Sequence, residues 1–247
     1  MEKKPLPEDD LWVSLERGDY RHAQQIIEAN RLLVSAHAKQ SAMATPLHFA
    51  VMNHALDFAS WLIRHGVDVN AIDLNGDTPL HTAVFFLNTQ LIELLLQNGA
   101  FSEQKNHKGK TPLFLLAIRR EEAVPFLDVF LNNGAQLDLN SAILVERIDR
   151  VNQLLQNNPG IIQTCLFPNR LLNDAIDVSV NDNGLIELLL SHGVSPNEHS
   201  DEYPFPLIQA CSIYYPLPSV IQSLLKYGAD VTIRDSMGKT ALAIAKQ

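Results

Sequence analysis

The stretch Thr45-Pro46-Leu47-His48-Phe49-Ala50 decides the fold, because it returns along the chain at a fixed interval. It recurs as Thr78-Pro79-Leu80-His81-Thr82-Ala83, and its first part returns after the same interval as Thr111-Pro112-Leu113-Phe114. The glycines Gly66 and Gly99 keep the same phase. Self-similarity with a period of this length predicts a stack of small structural units.

Each mark in the motif has a physical reason. Threonine before proline is typical of a helix start, since the hydroxyl caps the helix and proline tolerates the first helical position. Leu47 and Ala50 lie one turn apart, so they share a face that packs against a neighbouring helix. Residues 91–96 carry the apolar stripe of a second helix, and the following glycine suits a left-handed helix end.

These marks resemble the ankyrin repeat family. The resemblance rests on the two complete Thr-Pro-Leu-His copies with Ala50 and Ala83, and on the glycines Gly66, Gly99, Gly134, Gly193 and Gly228. It covers nearly the whole chain and is weaker at both ends and near residues 137–175. It implies an all-α, ankyrin-repeat solenoid of stacked helix-turn-helix units with projecting β-hairpin fingers.

The period also predicts the domain organisation, a single ankyrin-repeat array over residues 1–247. A degenerate N-terminal cap at 11–44 precedes repeats at about 45–77, 78–110, 111–136, 137–169, 170–204 and 205–239, and a half repeat at 240–247 follows. We expect a two-residue insertion in the third of these stretches, because its glycine, Gly134, comes late. We also expect the finger near Gly134–Asn140 to be missing or very short. The half repeat either caps the array or indicates that the natural protein continues.

Composition bounds the function. The net charge of −9 argues against a non-specific nucleic-acid or anionic-membrane partner, since both require clustered Lys and Arg. The two cysteines, Cys165 and Cys211, exclude a disulfide scaffold and suit a reducing compartment. The longest apolar runs, such as Leu113–Ile118, are far too short to span a membrane, and the charged start shows no secretory signal. We therefore expect a cytoplasmic protein.

Catalytic and metal chemistry find little support in the sequence. His48 and His81 occupy equivalent positions one repeat apart, too far to share a zinc ion, and in the family such histidines are expected to bond the neighbouring finger. We expect both cysteines to be buried apolar residues, although an enzyme that uses Cys211 or a histidine cluster is the alternative. Glycine-rich phosphate loops and serine elbows are missing from the sequence. We therefore expect no enzyme activity, no cofactor and no metal.

Partner recognition is expected at the finger tips and at the ends of the first helices, which packing leaves free. Phe85-Phe86-Leu87 is the most informative stretch, because three consecutive apolar residues at a helix end indicate an interaction site. The alternative is that they pack under the inserted segment of the next repeat. The expected contact residues are Met52, Asn53, Ile72, Leu74, Asn75, Asp77, Phe85, Phe86, Asn106, His107, Lys108, Lys110 and Leu115.

Asn70 is a possible modification site. Leu62 followed by Asp68-Val69-Asn70 resembles the sequence that an asparaginyl hydroxylase recognises in ankyrin repeats. The alternative is that asparagine is simply suited to the tight turn at this position.

Together these features predict a monomeric protein–protein interaction scaffold or adaptor that binds another protein across its finger and first-helix surface. Because the net charge is −9, we expect no nucleic-acid or membrane partner. The alternative is a targeting domain of a larger multidomain protein, such as a bacterial effector that acts on host proteins in the host cytosol.

Overall fold

The computed structural model describes residues 7–38, 44–178, 183–199, 203–212 and 217–246. The chain divides into two compact units, unit 1 (Met1–Gln136) and unit 2 (Leu137–Gln247). The division falls in the stretch where the sequence predicts a missing finger. Each unit is described separately below.

Unit 1 consists of paired helices joined by turns. Its elements are α1 (Pro7–Glu16), α2 (Tyr20–Ala29), a 3-10 turn (Arg31–Ser35), α3 (Pro46–Met52), α4 (Leu56–Arg64), α5 (Pro79–Phe85), α6 (Thr89–Gln97), α7 (Pro112–Ala117), a second 3-10 turn (Arg120–Ala123) and α8 (Val124–Asn132).

The helices α3, α5 and α7 begin where the repeated motif places them. The hydroxyls of Thr45, Thr78 and Thr111 each accept a hydrogen bond from the backbone N–H three residues later, and proline follows at the first helical position. Replacing such a capping threonine by alanine typically costs about 1 kcal/mol of stability. The motif therefore fixes three helix starts by local chemistry alone.

The core of unit 1 lies between neighbouring helices. Helix α3 packs on α4 and α5, and α5 packs on α6 and α7. Leu47, Leu80 and Leu113 are buried at equivalent positions, and Ala50 and Ala83 allow the first helices to approach closely. Packing between neighbours in sequence is the defining property of a repeat array.

The expected fingers are tight turns, which corrects the expectation of β-hairpins. The described residues contain no strand, and an isolated antiparallel bridge joins Arg234 and Thr240. In the finger before α5, Asp73 N–H donates to Asp77 O at 2.9 Å and Gly76 N–H donates to Asp73 O at 3.0 Å. The turn Asp235–Lys239 closes with the same two hydrogen bonds, and the bridge between Arg234 and Thr240 flanks it.

The structure contains both irregularities that the sequence predicts, the insertion in the third repeat and the missing finger after it. The 3-10 turn Arg120–Ala123 lies between α7 and α8, where the insertion is predicted. Residues 133–138 alone separate α8 from α9, whereas residues 98–111 separate α6 from α7. The finger is therefore missing after α8.

Unit 2 repeats the pattern less regularly. Its elements are α9 (Leu139–Leu144), α10 (Ile148–Asn157), α11 (Ile161–Thr164), a 3-10 turn (Pro168–Arg170), α12 (Leu171–Val178), α13 (Gly184–Ser191), α14 (Pro206–Ser212), α15 (Pro218–Lys226) and α16 (Ala241–Ala245). Helix α12 packs on α9, α13 and α14, and α14 packs on α16. The all-α class is thus confirmed, while the exact division into repeats stays a prediction.

Candidate functional site

The histidines of the motif connect each first helix of unit 1 to the next finger. Thr45 N–H donates to His48 Nδ1 at 3.2 Å, so the ring proton is on Nε2, which donates to the carbonyl of Asp77 at 3.0 Å. His81 repeats both contacts, with Thr78 at 3.1 Å and with the carbonyl of Lys110 at 3.1 Å. Burial lowers the pKa of both imidazoles, because it disfavours the charged form.

The finger tips share one hydrogen-bond pattern. Asp73 Oδ1 accepts from Asn75 N–H at 2.8 Å and from Asp77 N–H at 2.9 Å. Asn106 Oδ1 accepts from Lys108 N–H and Lys110 N–H, both at 3.0 Å. These side chains hold the tips in fixed turns, so a partner meets preformed loops.

Adjacent fingers in unit 1 are also bonded to each other. Asn106 Nδ2 donates to Asp77 Oδ1 at 2.8 Å, and His107 N–H donates to the carbonyl of Asn75 at 2.9 Å. The finger tips around residues 72–77 and 104–110 therefore form one continuous surface, which we call the finger surface.

The expected contact residues of the finger surface differ in exposure. Ile72, Leu74, Asn75, His107 and Lys108 are exposed, while Asp77 and Lys110 are half-buried. Asn106 is buried, and both ends of its amide are used within the two fingers. Asn106 therefore shapes this surface, and its exposed neighbours are the ones open to a partner.

Phe85 and Phe86 lie at the end of α5 and remain open to solvent. Phe85 is 64% exposed and Phe86 is 39% exposed. Their ring centres lie 5.1 Å apart at nearly a right angle, and the Phe86 ring also contacts His54 edge-on at 5.3 Å. The rings are thus held in a defined orientation by neighbouring rings.

The inserted segment of the next repeat contacts this pair without covering it. Arg119 Nη2 donates to the carbonyl of Phe85 at 2.8 Å, and its guanidinium carbon lies 5.8 Å from the centre of the Phe85 ring. The same guanidinium pairs with Glu122 at 3.3 Å. The alternative that this stretch packs under the insertion therefore does not hold for Phe85, whose side chain stays 64% exposed.

An apolar row extends from Phe85 in both directions. Met52, Phe85 and Ile118 occupy equivalent positions at the ends of three successive first helices, spaced evenly by the repeat period, and all three are exposed. One turn earlier, Thr82 and Leu115 are half-buried on the same helix face. Sequence reasoning missed Ile118, although the period that selects Met52 and Phe85 also selects it. Asn53, at the end of α3, is exposed beside this row and donates to the carbonyl of Phe49 at 2.9 Å.

Asn70 connects two repeats of unit 1. Its Nδ2 donates to the carbonyl of Gly99 at 3.0 Å, and its Oδ1 accepts from Phe101 N–H at 2.8 Å. Asn197 of unit 2 makes the same two contacts, with Gly228 and Asp230. These bonds support the structural alternative for Asn70, and hydroxylation stays a prediction.

The cysteine environments do not favour nucleophilic chemistry. Cys211 is buried and Cys165 is partly buried, and burial raises the pKa of the Cys165 thiol to about 11. Burial raises the pKa of the Cys211 thiol as well. A thiol with a raised pKa is a poor nucleophile at neutral pH. Among the residues that the structure describes, no His, Cys, Asp or Glu side chains cluster as metal ligands.

Helix pairs that stack on their sequence neighbours, with tight turns between successive pairs, define a helical repeat protein. The family model for ankyrin repeats (3 copies) matches residues 11–106 and, in a second overlapping match, residues 47–141. The chain belongs to the ankyrin repeat family. Ankyrin repeats generally mediate protein–protein interaction, and the fold is typically a non-catalytic interaction module.

Relatives among characterised proteins agree with this assignment. Rabankyrin-5 of Mus musculus is 27% identical over 256 residues, which cover 96% of this chain and 20% of the relative. Rabankyrin-5 of Homo sapiens is 33% identical over 156 residues, which cover 56% of this chain and 13% of the relative. Ankyrin repeat and SOCS box protein 9 of Mus musculus is 30% identical over 134 residues, which cover 52% of this chain and 43% of that protein. The chain thus spans a fifth or less of the length of either Rabankyrin-5.

Helices long and apolar enough to cross a membrane do not occur in the part of the chain that the structure describes.

Proposed function

We propose that this chain is a recognition module that binds another protein through unit 1. The binding surface is the finger surface together with the exposed ends of α3, α5 and α7. The observation that carries this proposal is the exposed Phe85–Phe86 pair. Large aromatic rings held rigidly at a surface contribute much of the binding energy in protein interfaces, because little side-chain entropy is lost when a partner covers them.

The fixed finger turns support the same surface. Ile72 and Leu74 extend from a loop whose tip is held by Asp73, and His107 and Lys108 extend from a loop held by Asn106. A partner that docks on preformed turns loses less conformational entropy than one that must order them. Asn106 and Asp77 join the two loops and act by positioning the exposed residues.

We also propose that the protein is a monomer and that it binds no nucleic acid, membrane or cofactor. The proposal includes a cytoplasmic location, because Cys165 and Cys211 are free thiols and such thiols persist in a reducing compartment.

A pull-down with chemical crosslinking from lysate tests the surface. The Phe85→Ala/Phe86→Ala variant should lose the crosslinked partners that wild type captures. Phe101→Ala is the matched control, because Phe101 is 60% exposed on the same unit and lies outside the proposed surface. Circular dichroism should show equal helix content for all three proteins. Equal recovery of every partner by the double variant would overturn the proposal.

The second candidate function is a targeting domain of a larger multidomain protein. It is favoured by the small share of each Rabankyrin-5 that the chain spans. A bacterial effector acting on host proteins is one form of this candidate. Sequencing the complete open reading frame that encodes the chain tests this second candidate. A frame that encodes no further domain would exclude it.

A further inference from the structure

The arrangement of charges and apolar side chains on unit 1 indicates which kind of partner it fits. This inference rests on the proposed function and adds the chemistry of the bound segment. Three features carry it: an apolar row, a lysine-bearing finger and the distance between them.

The first feature is the apolar row Met52, Phe85 and Ile118. Successive first helices pack at about 8–10 Å from axis to axis, so the row presents an apolar side chain roughly every 10 Å. An α-helix rises 1.5 Å per residue and therefore brings every seventh residue back to the same side after about 10.5 Å. A partner helix with apolar residues seven apart matches the row.

The second feature is the positive charge of one finger in a chain whose net charge is −9. Lys105, Lys108 and Lys110 lie within one finger, and Lys105 and Lys108 are exposed. The described residues offer none of these three ammonium groups an ion pair. In the preceding finger the exposed positions equivalent to Lys105 and His107 are Ile72 and Leu74.

The third feature is the spacing between the lysines and the row. Helix α7 connects Lys110 to Ile118, and its length separates the two by about 10 Å. This is close to the diameter of an α-helix with its side chains. The half-buried Thr82 and Leu115 lie between the two edges and form the floor.

We infer that unit 1 binds an acidic amphipathic α-helix of a partner protein. Its apolar residues lie on Met52, Phe85 and Ile118. Its Asp or Glu residues lie at the end nearest Lys105 and Lys108, and the end nearest Leu74 is apolar. The lysines attract the acidic end of the partner helix, so they set the direction in which the helix binds. The same attraction increases the rate of association at low salt.

A library of random peptides of about 20 residues, displayed on phage, tests this inference. Phage that bind the Phe85→Ala variant are removed first, and the remaining phage are selected on the full chain. The selected peptides should carry apolar residues seven apart and a cluster of Asp or Glu at one end. The strongest selected peptide should lose about tenfold or more in affinity for Lys105→Glu/Lys108→Glu. It should keep its affinity for Lys246→Glu, a charge reversal at an exposed lysine outside unit 1.

Selection of basic peptides, of peptides without the seven-residue spacing, or of none would overturn the inference. Tight binding of a single-stranded RNA oligonucleotide that is lost in the lysine variant would overturn it as well. The proposed function fails separately, in the pull-down. If Phe85→Ala/Phe86→Ala loses partners there while the library yields no acidic helix, the surface stands and only the chemistry of its partner is wrong.

Discussion

At Gly76 the backbone of one finger passes directly against His107 of the next. The residue has a φ of +76°, and a Cβ built on it would lie 2.7 Å from His107 Cδ2 and 2.8 Å from His107 N. Gly109 occupies the equivalent place in the next finger with a φ of +73°, and a Cβ there would meet no described atom within 4 Å. A side chain at Gly109 would therefore cost only the strain of a positive φ, whereas one at Gly76 would also clash with His107.

We expect Gly76→Ala to destabilise unit 1 more than Gly109→Ala does. Both variants lose about 1 kcal/mol because alanine disfavours a positive φ, and only Gly76→Ala must also separate the two fingers. Trp12 and Trp61 are the chain's two tryptophans and both lie in unit 1, so urea unfolding followed by tryptophan fluorescence reports this unit. Equal unfolding midpoints for the two variants would contradict the expectation.

Two buried serines of unit 2 should respond oppositely to the same substitution. The Ser141 hydroxyl is buried and has no hydrogen-bond partner among the described atoms, whereas the buried Ser223 hydroxyl donates to Glu187 and accepts from Asn183 Nδ2 at 2.9 Å. Ser141→Ala should be neutral or stabilising by up to about 1 kcal/mol, and Ser223→Ala should cost about 1 kcal/mol. Urea unfolding followed by circular dichroism measures both changes. Destabilisation by Ser141→Ala would show that its hydroxyl is satisfied in solution.

At the scale of the element, the turns inside the helix pairs carry backbone strain. His54, Leu87, Arg120 and Glu146 all have φ between 51° and 56°, a region that glycine adopts without strain. The first three are spaced evenly by the repeat period, so the strain belongs to the repeat itself.

Glycine should stabilise this turn only where the side chain makes no contact. Glu146 is exposed and its side chain makes no hydrogen bond within the described structure, so Glu146→Gly should stabilise unit 2 by about 1 kcal/mol. At His54, the ring packs against Phe86 and accepts a hydrogen bond from Asn88 Nδ2 at 3.0 Å. His54→Gly should therefore gain less or lose stability. Thermal unfolding by calorimetry compares the two, and an equal gain would show that the ring contacts contribute nothing.

At the scale of the whole molecule, the two units use different residues for the same connection. His48 and His81 bond the following finger in unit 1. In unit 2, Asn140 Nδ2 donates to the carbonyl of Phe167 at 3.1 Å, and Asn173 Nδ2 donates to the carbonyl of Pro204 at 2.8 Å. Each asparagine lies two residues before a buried alanine, as His48 and His81 do. Of these four connections, only the two in unit 1 are made by an ionisable side chain.

The stability of unit 1 should therefore fall in mild acid. Burial lowers the pKa of His48 and His81 below the unfolded value of about 6.5, so the unfolded state binds more protons below that pH. The contribution of both histidines is fully present above pH about 6.5 and is lost as the pH falls through the folded pKa.

The variant His48→Gln/His81→Gln should show a weaker dependence on pH. Glutamine at this position can still receive the backbone bond of a capping box, and it does not titrate. Urea midpoints from tryptophan fluorescence, measured between pH 7.5 and 5.5, compare the variant with wild type. Parallel curves would show that these histidines do not control the acid response.

Much of the fold was predictable because its signals are local. The starts of α3, α5 and α7 follow from a threonine cap and a proline, which act within one helical turn. The insertion after α7 and the missing finger after α8 follow from the spacing of glycines. The candidate site was predictable only in part, since Ile118 follows from the period but the burial of Asn106 does not.

The sequence by itself determined that this chain is a stack of ankyrin repeats, because the caps and the glycines act over a few residues and recur at a fixed period. Tertiary structure alone decided that Asn106 joins two fingers and that Phe85 remains exposed beside Arg119. These outcomes depend on contacts between residues 29 to 34 positions apart, which form only when neighbouring repeats have packed.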